Sequence, residues 1–314
     1  MGASPDFILR RGQCAKISTG GMLPAGADAV VMVEQTDEQD GLCLVFKSVF
    51  PGENITRRGD DIACGALAVP KGARLLPQHI GVLAALGQEI VSVYEKPAVA
   101  VISTGDEIVR SAPAYGQVRD VNSDLLCALL SARGCEPRFY GVVRDDRTAI
   151  LQAVKDCLGS ADAVLISGGS SAGTRDMTVS VLDELGEVFF HGIAMKPGKP
   201  TIFGAADGKP VFGLPGHPLA AYFVFRLIVS EFLCALHGVP QTGTTRTAAL
   251  AVNVPSNHGR EEYLCVRIDE HGEAVPLHTK SGVISVLSAA DGFIRVPRDT
   301  EGLDKGAVVE VYDI

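Results

Sequence analysis

Tryptophan is absent from this chain, and aromatic residues make up only 6% of it. That leaves little from which to build a platform for base stacking. Positive charge is also scarce: 28 Lys and Arg face 37 Asp and Glu, for a formal net charge of -9. Phosphate backbones are bound by clustered cations, and no run of five basic residues occurs, so a nucleic-acid partner is not expected. The eight cysteines are spaced eight or more residues apart, which excludes CxxC metal and redox motifs. Several sit in apolar settings, such as Leu126-Cys127-Ala128 and Leu233-Cys234-Ala235, and read as buried, reduced thiols of a cytoplasmic protein. No signal peptide opens the chain, and no uninterrupted apolar run reaches 18 residues. Residues 220–236 come nearest, but Arg226 and Glu231 interrupt them. No membrane partner is expected.

What is present is apolar bulk and turn chemistry. Hydrophobic residues make up 46% of 314, with 35 Gly and 17 Pro. That is enough for two or three domains with substantial cores. Residues 11–70 read as β-rich, with strands at 14–18, 28–34 and 42–49. A short helix at 77–87 has Pro in its first turn and Gly just past its end. From 98 onward, strands and helices alternate. Strands are expected at 98–103, 137–143, 163–167, 201–204 and 211–214, and helices at 123–133, 147–158, 177–185 and 217–236. The near-continuous apolar strands fit a parallel sheet covered on both faces, a doubly wound α/β domain. Past Pro240, alternating segments at 247–252, 263–268, 274–278, 292–297 and 307–312 suggest a small β-barrel or sandwich. The expected domains are 1–96, 97–238 and 239–314.

Four glycine-rich turns follow or flank the strands of the central domain. In an open parallel sheet the C-terminal strand ends share one edge, and ligands bind there. Thr104-Gly105-Asp106-Glu107 offers a hydroxyl and an amide to a phosphate, and two carboxylates to a divalent cation. The same residues would also serve as a helix N-cap with acids at the positive end of its dipole. Ser167-Gly168-Gly169-Ser170-Ser171-Ala172-Gly173 suits an anion nest, without the P-loop or dinucleotide pattern. Asp176, just beyond, would cap the next helix or bind metal. Lys196-Pro197-Gly198-Lys199-Pro200 sets two cations on a loop stiffened by proline, which lowers the entropy lost on clamping an anion. Gly213-Leu214-Pro215-Gly216-His217-Pro218 turns into a helix N-terminus, where His217 is a cap or hydrogen-bond donor rather than a base. Outside this domain, Ser18-Thr19-Gly20-Gly21 and Arg57-Arg58-Gly59-Asp60-Asp61 read on their own as charged or polar surface loops.

In this order the motifs resemble the MoeA family, the molybdopterin molybdenumtransferases of molybdenum cofactor synthesis, and the E-domain of gephyrin. The resemblance rests on Thr19-Gly20-Gly21-Met22-Leu23-Pro24-Ala25-Gly26-Ala27-Asp28-Ala29-Val30-Val31, Arg58-Gly59-Asp60-Asp61-Ile62, Asp120-Val121-Asn122 and the four turns. It covers residues 11 to about 238, and the tail looks like the family's C-terminal β-domain. It implies an α/β fold with a MogA/MoaB-like central domain, a β-rich N-terminal domain and a C-terminal β-barrel. The implied substrates are adenylylated molybdopterin and molybdate, with Mg²⁺-dependent release of AMP.

By motif, Glu107, Asp176, Asp61 and Asp145 match catalytic positions. Thr19, Thr104, Gly105, Asp106, Gly168, Gly169, Ser170, Ser171, Lys196, Gly198, Lys199, Pro215, Gly216 and His217 fall in ligand-binding segments. Glu107, Asp106 and Asp176 are the implied metal ligands. Thr19 and Asp61 are expected to act across a homodimer interface, with a MogA-like protein and molybdoenzyme apoproteins as further partners. Two departures stand out. The family's opening segment has no counterpart before Phe7, so the chain is expected to be shortened at its start. Thr174 stands where the family commonly has an acid. The alternatives these departures suggest are a non-catalytic carrier of the cofactor and, from the MogA/MoaB likeness, a related adenylyltransferase.

Overall fold

A computed structural model describes residue 2 and residues 4–168, 172–237 and 245–314; the side chains of 172–175 and 237 are not described. The chain divides into two compact units, Met1–Glu89 and Ile90–Ile314. The first unit is mostly turns. Its regular elements are a hairpin of β1 (Thr36–Gln39) and β2 (Leu42–Val45), a 3-10 turn at Val33–Gln35 and α1 (Pro77–Ala85). The strands expected at 14–18 and 28–34 do not form, and the third is the shorter β2. Apolar content there builds no interior: Phe46, Phe50 and Leu67 are exposed. Proline at the first position of α1 and Gly87 at φ +72° just past its end mark that helix as expected.

The second unit holds a six-stranded sheet with helices on both faces. Its strands are β3 (Ala98–Thr104), β6 (Glu136–Val143), β7 (Ala163–Gly168), β8 (Gly186–His191), β10 (Ile202–Ala206) and β11 (Lys209–Leu214), in the order β6-β3-β7-β11-β10-β8. Two short pieces, β4 (Ile108–Val109) and β5 (Val118–Arg119), pair outside it, and β9 is Met195–Lys196. The first four strands of the sheet are parallel; β10 and β8 add antiparallel. The expected all-parallel sheet is therefore mixed. The two-residue turn at Asp207-Gly208 allows only a hairpin between β10 and β11. Strand β8 was not anticipated: its own Gly186 alone marks the break from the preceding helix, and its sequence GEVFFH is too short to show a clear alternation.

Period-2 alternation divides the core between the sheet faces. Val99, Val101, Leu165, Phe212 and Leu214 face α2 (Asn122–Ala132) and the long C-terminal helix. Ala98, Ala100, Ile102, Val164, Ile166 and Val211 face α3 (Arg147–Leu158) and α4 (Ala172–Leu185). Helix α4 begins five residues before the expected start, so Asp176 lies within it and does not cap it. The long helix is α5 (Pro218–Val224), a π-turn (Phe225–Val229) and α6 (Ser230–His237). By length and composition it could cross a membrane, but 56% of its most apolar window is buried within this fold.

The remaining strands are β12 (Thr245–Ala249), β13 (Val254–Pro255), β14 (Glu261–Ile268), β15 (Ala274–Pro276), β16 (Gly292–Val296), β17 (Gly302–Leu303) and β18 (Val308–Tyr312), with the short α7 (Val286–Ala289). Five form a sheet in the order β12-β18-β16-β14-β15. A bridge between Leu250 and Ala274 joins its two edges, which closes the sheet around Leu250, Val266, Ile294, Val296 and Val311. This closed sheet also shares a core with the α/β layers: Tyr263, Cys265 and Phe293 pack with Met195, Tyr222 and Phe223. Of the cysteines expected to be buried, only Cys135, Cys157 and Cys265 are; Cys127 and Cys234 are half-buried, and Cys14, Cys43 and Cys64 are exposed. Those three exposed thiols lie in the first unit, which has no interior to receive them.

Candidate functional site

Register places the candidate turns on one edge of the six-stranded sheet. Thr104, the last residue of β3, pairs with Gly168 and Val143, the last residues of β7 and β6. Leu214, ending β11, pairs with Ser167. Ile202, which begins the antiparallel β10, pairs with Gly213 and with His191, the last residue of β8. The segment 192–201 with its two lysines therefore reaches the same edge from a hairpin. Gly105, Asp106, Asp145, Lys196, Gly198, Lys199, Pro215, Gly216 and His217 share this rim. Gly169, Ser170 and Ser171 lie outside the described residues.

The strand ends are closed by contacts that need glycine. Gly168 has φ +147°, and a Cβ there would stand 2.1 Å from the Thr104 carbonyl oxygen and 2.2 Å from its Oγ1. Gly105 has φ +150°, and its N–H donates to the Val143 carbonyl at 3.1 Å. Thr104 is 2% exposed. Thr104 and Gly105 thus knit the strand ends together, rather than presenting the hydroxyl and amide donors expected from the sequence. Asp106 and Glu107 follow as exposed carboxylates, and the Asp145 N–H donates to Asp106 Oδ1 at 3.4 Å. Among the described residues, no three His, Cys, Asp or Glu side chains gather as a metal-holding group. Glu107, Asp106 and Asp176 do not form a preassembled cage; Asp176 is exposed in the second turn of α4. Two adjacent carboxylates still suit a hard cation shared with a phosphorylated ligand, since Mg²⁺ is usually held by one or two carboxylates and substrate oxygens.

Beneath the rim lies a polar network built on the Asp120-Val121-Asn122 segment, to which sequence reading gave no role of its own. Asp120 is 4% exposed. It accepts from Ser103 Oγ at 3.1 and 3.0 Å, from the Ser123 N–H at 3.1 Å and from Ser123 Oγ at 2.6 Å. Arg110 Nη1 stands 3.8 Å from it and donates to Ser123 Oγ at 2.8 Å and Asp124 Oδ1 at 3.0 Å. Asp120 immediately precedes the N-cap residue Val121 and accepts from the backbone three residues on, so the Asp-x-x-Ser spacing was the available signal. Asn122, in the first turn of α2, donates from Nδ2 to Ser167 Oγ at 2.8 Å and to the Gly216 carbonyl at 2.9 Å. One amide thus clamps the ends of β7 and β11.

A cleft of about 530 Å³ opens beside Lys196 and Lys199. Its other wall comes from the C-terminal region: Glu262 on β14, with Arg260, Thr279, Lys280 and Ser281 from the flanking loops. The two parts are joined by parallel pairing of Met195 with Glu261 and Lys196 with Glu262. Lys196 Nζ lies 2.7 Å from Glu262 Oε1, and Ser256 Oγ donates to Glu262 Oε2 at 2.7 Å. His217 Nδ1 meets Ser281 Oγ at 2.8 Å, and the Leu219 N–H donates to the Ser281 carbonyl at 3.1 Å. Gly198, at φ +125°, packs so closely that a Cβ would stand 2.3 Å from Met195 Cε. In a chain of net charge -9, Lys196, Lys199, Arg260 and Lys280 make this cleft locally cationic, with Glu262 as the opposing charge. The C-terminal residues were missed because each stands more than sixty residues from the lysine loop.

Thr19 and Asp61 belong to the first unit and are both exposed there. Thr19 sits in a turn closed by Gly21 N–H donating to the Ser18 carbonyl at 2.8 Å. Asp61 follows a turn in which Asp60 Oδ2 accepts from the Arg57 N–H at 2.6 Å.

Three family models cover most of the chain. Residues 1–87 match the MoeA N-terminal region (domains I and II), 100–235 a probable molybdopterin binding domain, and 247–314 the MoeA C-terminal region (domain IV). A Methanocaldococcus jannaschii protein named for molybdopterin biosynthesis is 37% identical over 311 residues, 96% of this chain and 76% of that protein. A molybdopterin molybdenumtransferase of Staphylococcus epidermidis is 32% identical over 319 residues, 99% of this chain and 76% of that enzyme. The crystal structure of a molybdopterin biosynthesis MoeA protein from a Pyrococcus species superimposes with a TM-score of 0.83 at 41% identity. It covers 99% of this chain and 78% of that one.

Proposed function

The chain belongs to the MoeA family of molybdenum cofactor biosynthesis, and on that premise we propose that it is a molybdopterin molybdenumtransferase acting on adenylylated molybdopterin and molybdate. The observation that carries this reading is the cationic cleft of Lys196, Lys199, Arg260 and Lys280 on the sheet edge that also carries Asp106, Glu107 and Asp145. Fixed cations stabilise oxyanion charge without reorganising as it develops. Lysine ammonium groups are point charges suited to tetrahedral dianions, and proline on either side of Gly198 holds them in place. Asp106 and Glu107 would hold Mg²⁺, which supplies charge neutralisation at a phosphoanhydride. Addition of water across that anhydride yields AMP and the phosphorylated pterin, leaving the pterin dithiolene to take molybdenum.

Asp145 orders Asp106 through its N–H. Glu107 and Asp176 serve cation or phosphate chemistry, and Ser170 serves ligand binding. Thr19 and Asp61 complete the site from the partner protomer of a homodimer. The test is incubation with adenylylated molybdopterin, molybdate and Mg²⁺. AMP release with formation of active cofactor is expected; no AMP release refutes the assignment. The lack of a three-carboxylate cage among the described residues supports a second reading, a carrier that binds the pterin without turnover. Tight pterin binding with no AMP would identify it.

A further inference from the structure

Glu262 is a mostly buried carboxylate, 6% exposed, placed on the wall of a cleft whose Lys and Arg residues are Lys196, Lys199, Arg260 and Lys280. Its two oxygens are both engaged, Oε1 by Lys196 Nζ and Oε2 by Ser256 Oγ. Its backbone is in direct register with Lys196 across the β9–β14 pairing. The two ends of the ion pair differ in kind. The Lys196 side chain is 47% exposed, whereas the Glu262 side chain is 7% exposed and held by Ser256 as well. An anion entering the cleft therefore meets an ammonium whose charge is already offset by a fixed carboxylate a hydrogen bond away. We propose that Glu262 is the specificity-determining residue of this site, a built-in counter-charge that orients Lys196 and limits how tightly the cleft holds an oxyanion.

Two consequences follow from Coulomb's law. The repulsion from Glu262 scales with the charge of the ligand, so it weakens a dianion more than a monoanion. It also keeps the affinity within the range from which product can leave. Glutamine at 262 removes the charge while its amide oxygen still accepts from Lys196, so orientation is retained and the brake is released.

The proposal rests on the reading of the cleft as an oxyanion site, and the experiment separates the two. Molybdate is titrated calorimetrically into the full chain, Glu262→Gln and Lys199→Ala, with folding checked by thermal melting. E262Q is expected to bind molybdate roughly tenfold more tightly, the factor that about 1.4 kcal/mol of relieved repulsion gives. Its gain for a monoanion such as nitrate should be smaller. K199A is expected to bind more weakly. If K199A weakens binding but folded E262Q binds no tighter than the wild type, the counter-charge role is wrong while the cleft reading stands. If neither the wild type nor E262Q binds molybdate, both are wrong. If E262Q fails to fold, Ser256→Ala, which frees one carboxylate oxygen, provides the second reading: unchanged or tighter Lys196 pairing predicts equal or weaker molybdate affinity, and a tenfold gain overturns the proposal.

Discussion

Replacing Gly168 by alanine tests the idea that the site is assembled by closing strand ends. Two glycines of the same sheet share a backbone conformation, Gly141 at φ +146° and Gly168 at φ +147°. They differ in what a Cβ would meet: nothing within 4 Å at Gly141, and the Thr104 carbonyl at 2.1 Å at Gly168. Holding an L-residue in that conformation costs of order 1–3 kcal/mol, common to both variants. Forcing a methyl into a packed contact adds about 1–3 kcal/mol, and this falls on Gly168→Ala alone. In a unit running from Ile90 to Ile314, each kcal/mol moves the melting temperature by roughly 2–4 °C. Scanning calorimetry should therefore place Gly168→Ala about 2–12 °C below Gly141→Ala. Because Thr104 must retreat, Asp106 moves with it, and ligand affinity should fall in Gly168→Ala but not in Gly141→Ala. Equal melting temperatures for the two variants would refute the steric account of the rim.

The remaining predictions concern single groups. Lys196→Ala should raise the molybdate dissociation constant by roughly ten- to a hundredfold, through loss of a charge-assisted contact of about 1.5–3 kcal/mol; calorimetry checks it. Asp146 Oδ1 caps α3 by accepting from the Ala149 N–H at 2.9 Å, so Asp146→Ala should cost about 1 kcal/mol, read as a lower melting temperature with ligand affinity unchanged. Burial pushes the thiols of Cys135, Cys157 and Cys265 up to about 11, with Asp156 adding to the effect at Cys157. At pH 8 a chromogenic disulfide reagent should label Cys14 and Cys64 rapidly and these three only on unfolding. The sign of the linkage is fixed: above about 9 the unfolded chain releases thiol protons that the fold retains, so stability should fall between about pH 9 and 11. A melting temperature that rises across that range would contradict it.

Local sequence carried much of this fold because its signals were local. Helix α3 was legible at its observed bounds: Asp146 caps its start and Gly159 follows its end. Strand β3 was legible because strands buried between two helical layers are apolar over most of their length, as Ala98 to Ile102 are. The first unit was misread because apolar alternation predicts a strand only where an interior waits to receive it, and Phe46 and Phe50 find none. The rim residues were legible because glycine beside hydroxyl and charge is conspicuous. The chemistry of two of them was misassigned: Gly105 spends its amide on Val143 and Thr104 is buried.

By itself, then, the amino-acid order determined the helices, the apolar strands of the sheet and the four glycine turns, because capping, periodicity and backbone conformation act over a few residues. Tertiary structure alone decided that β8 takes the sheet edge beside β10, that Asn122 ties Ser167 to Gly216, and that Glu262 and Arg260 face Lys196 across a cleft. Those relations join positions tens of residues apart, and neither propensity nor spacing along the chain encodes distance in space.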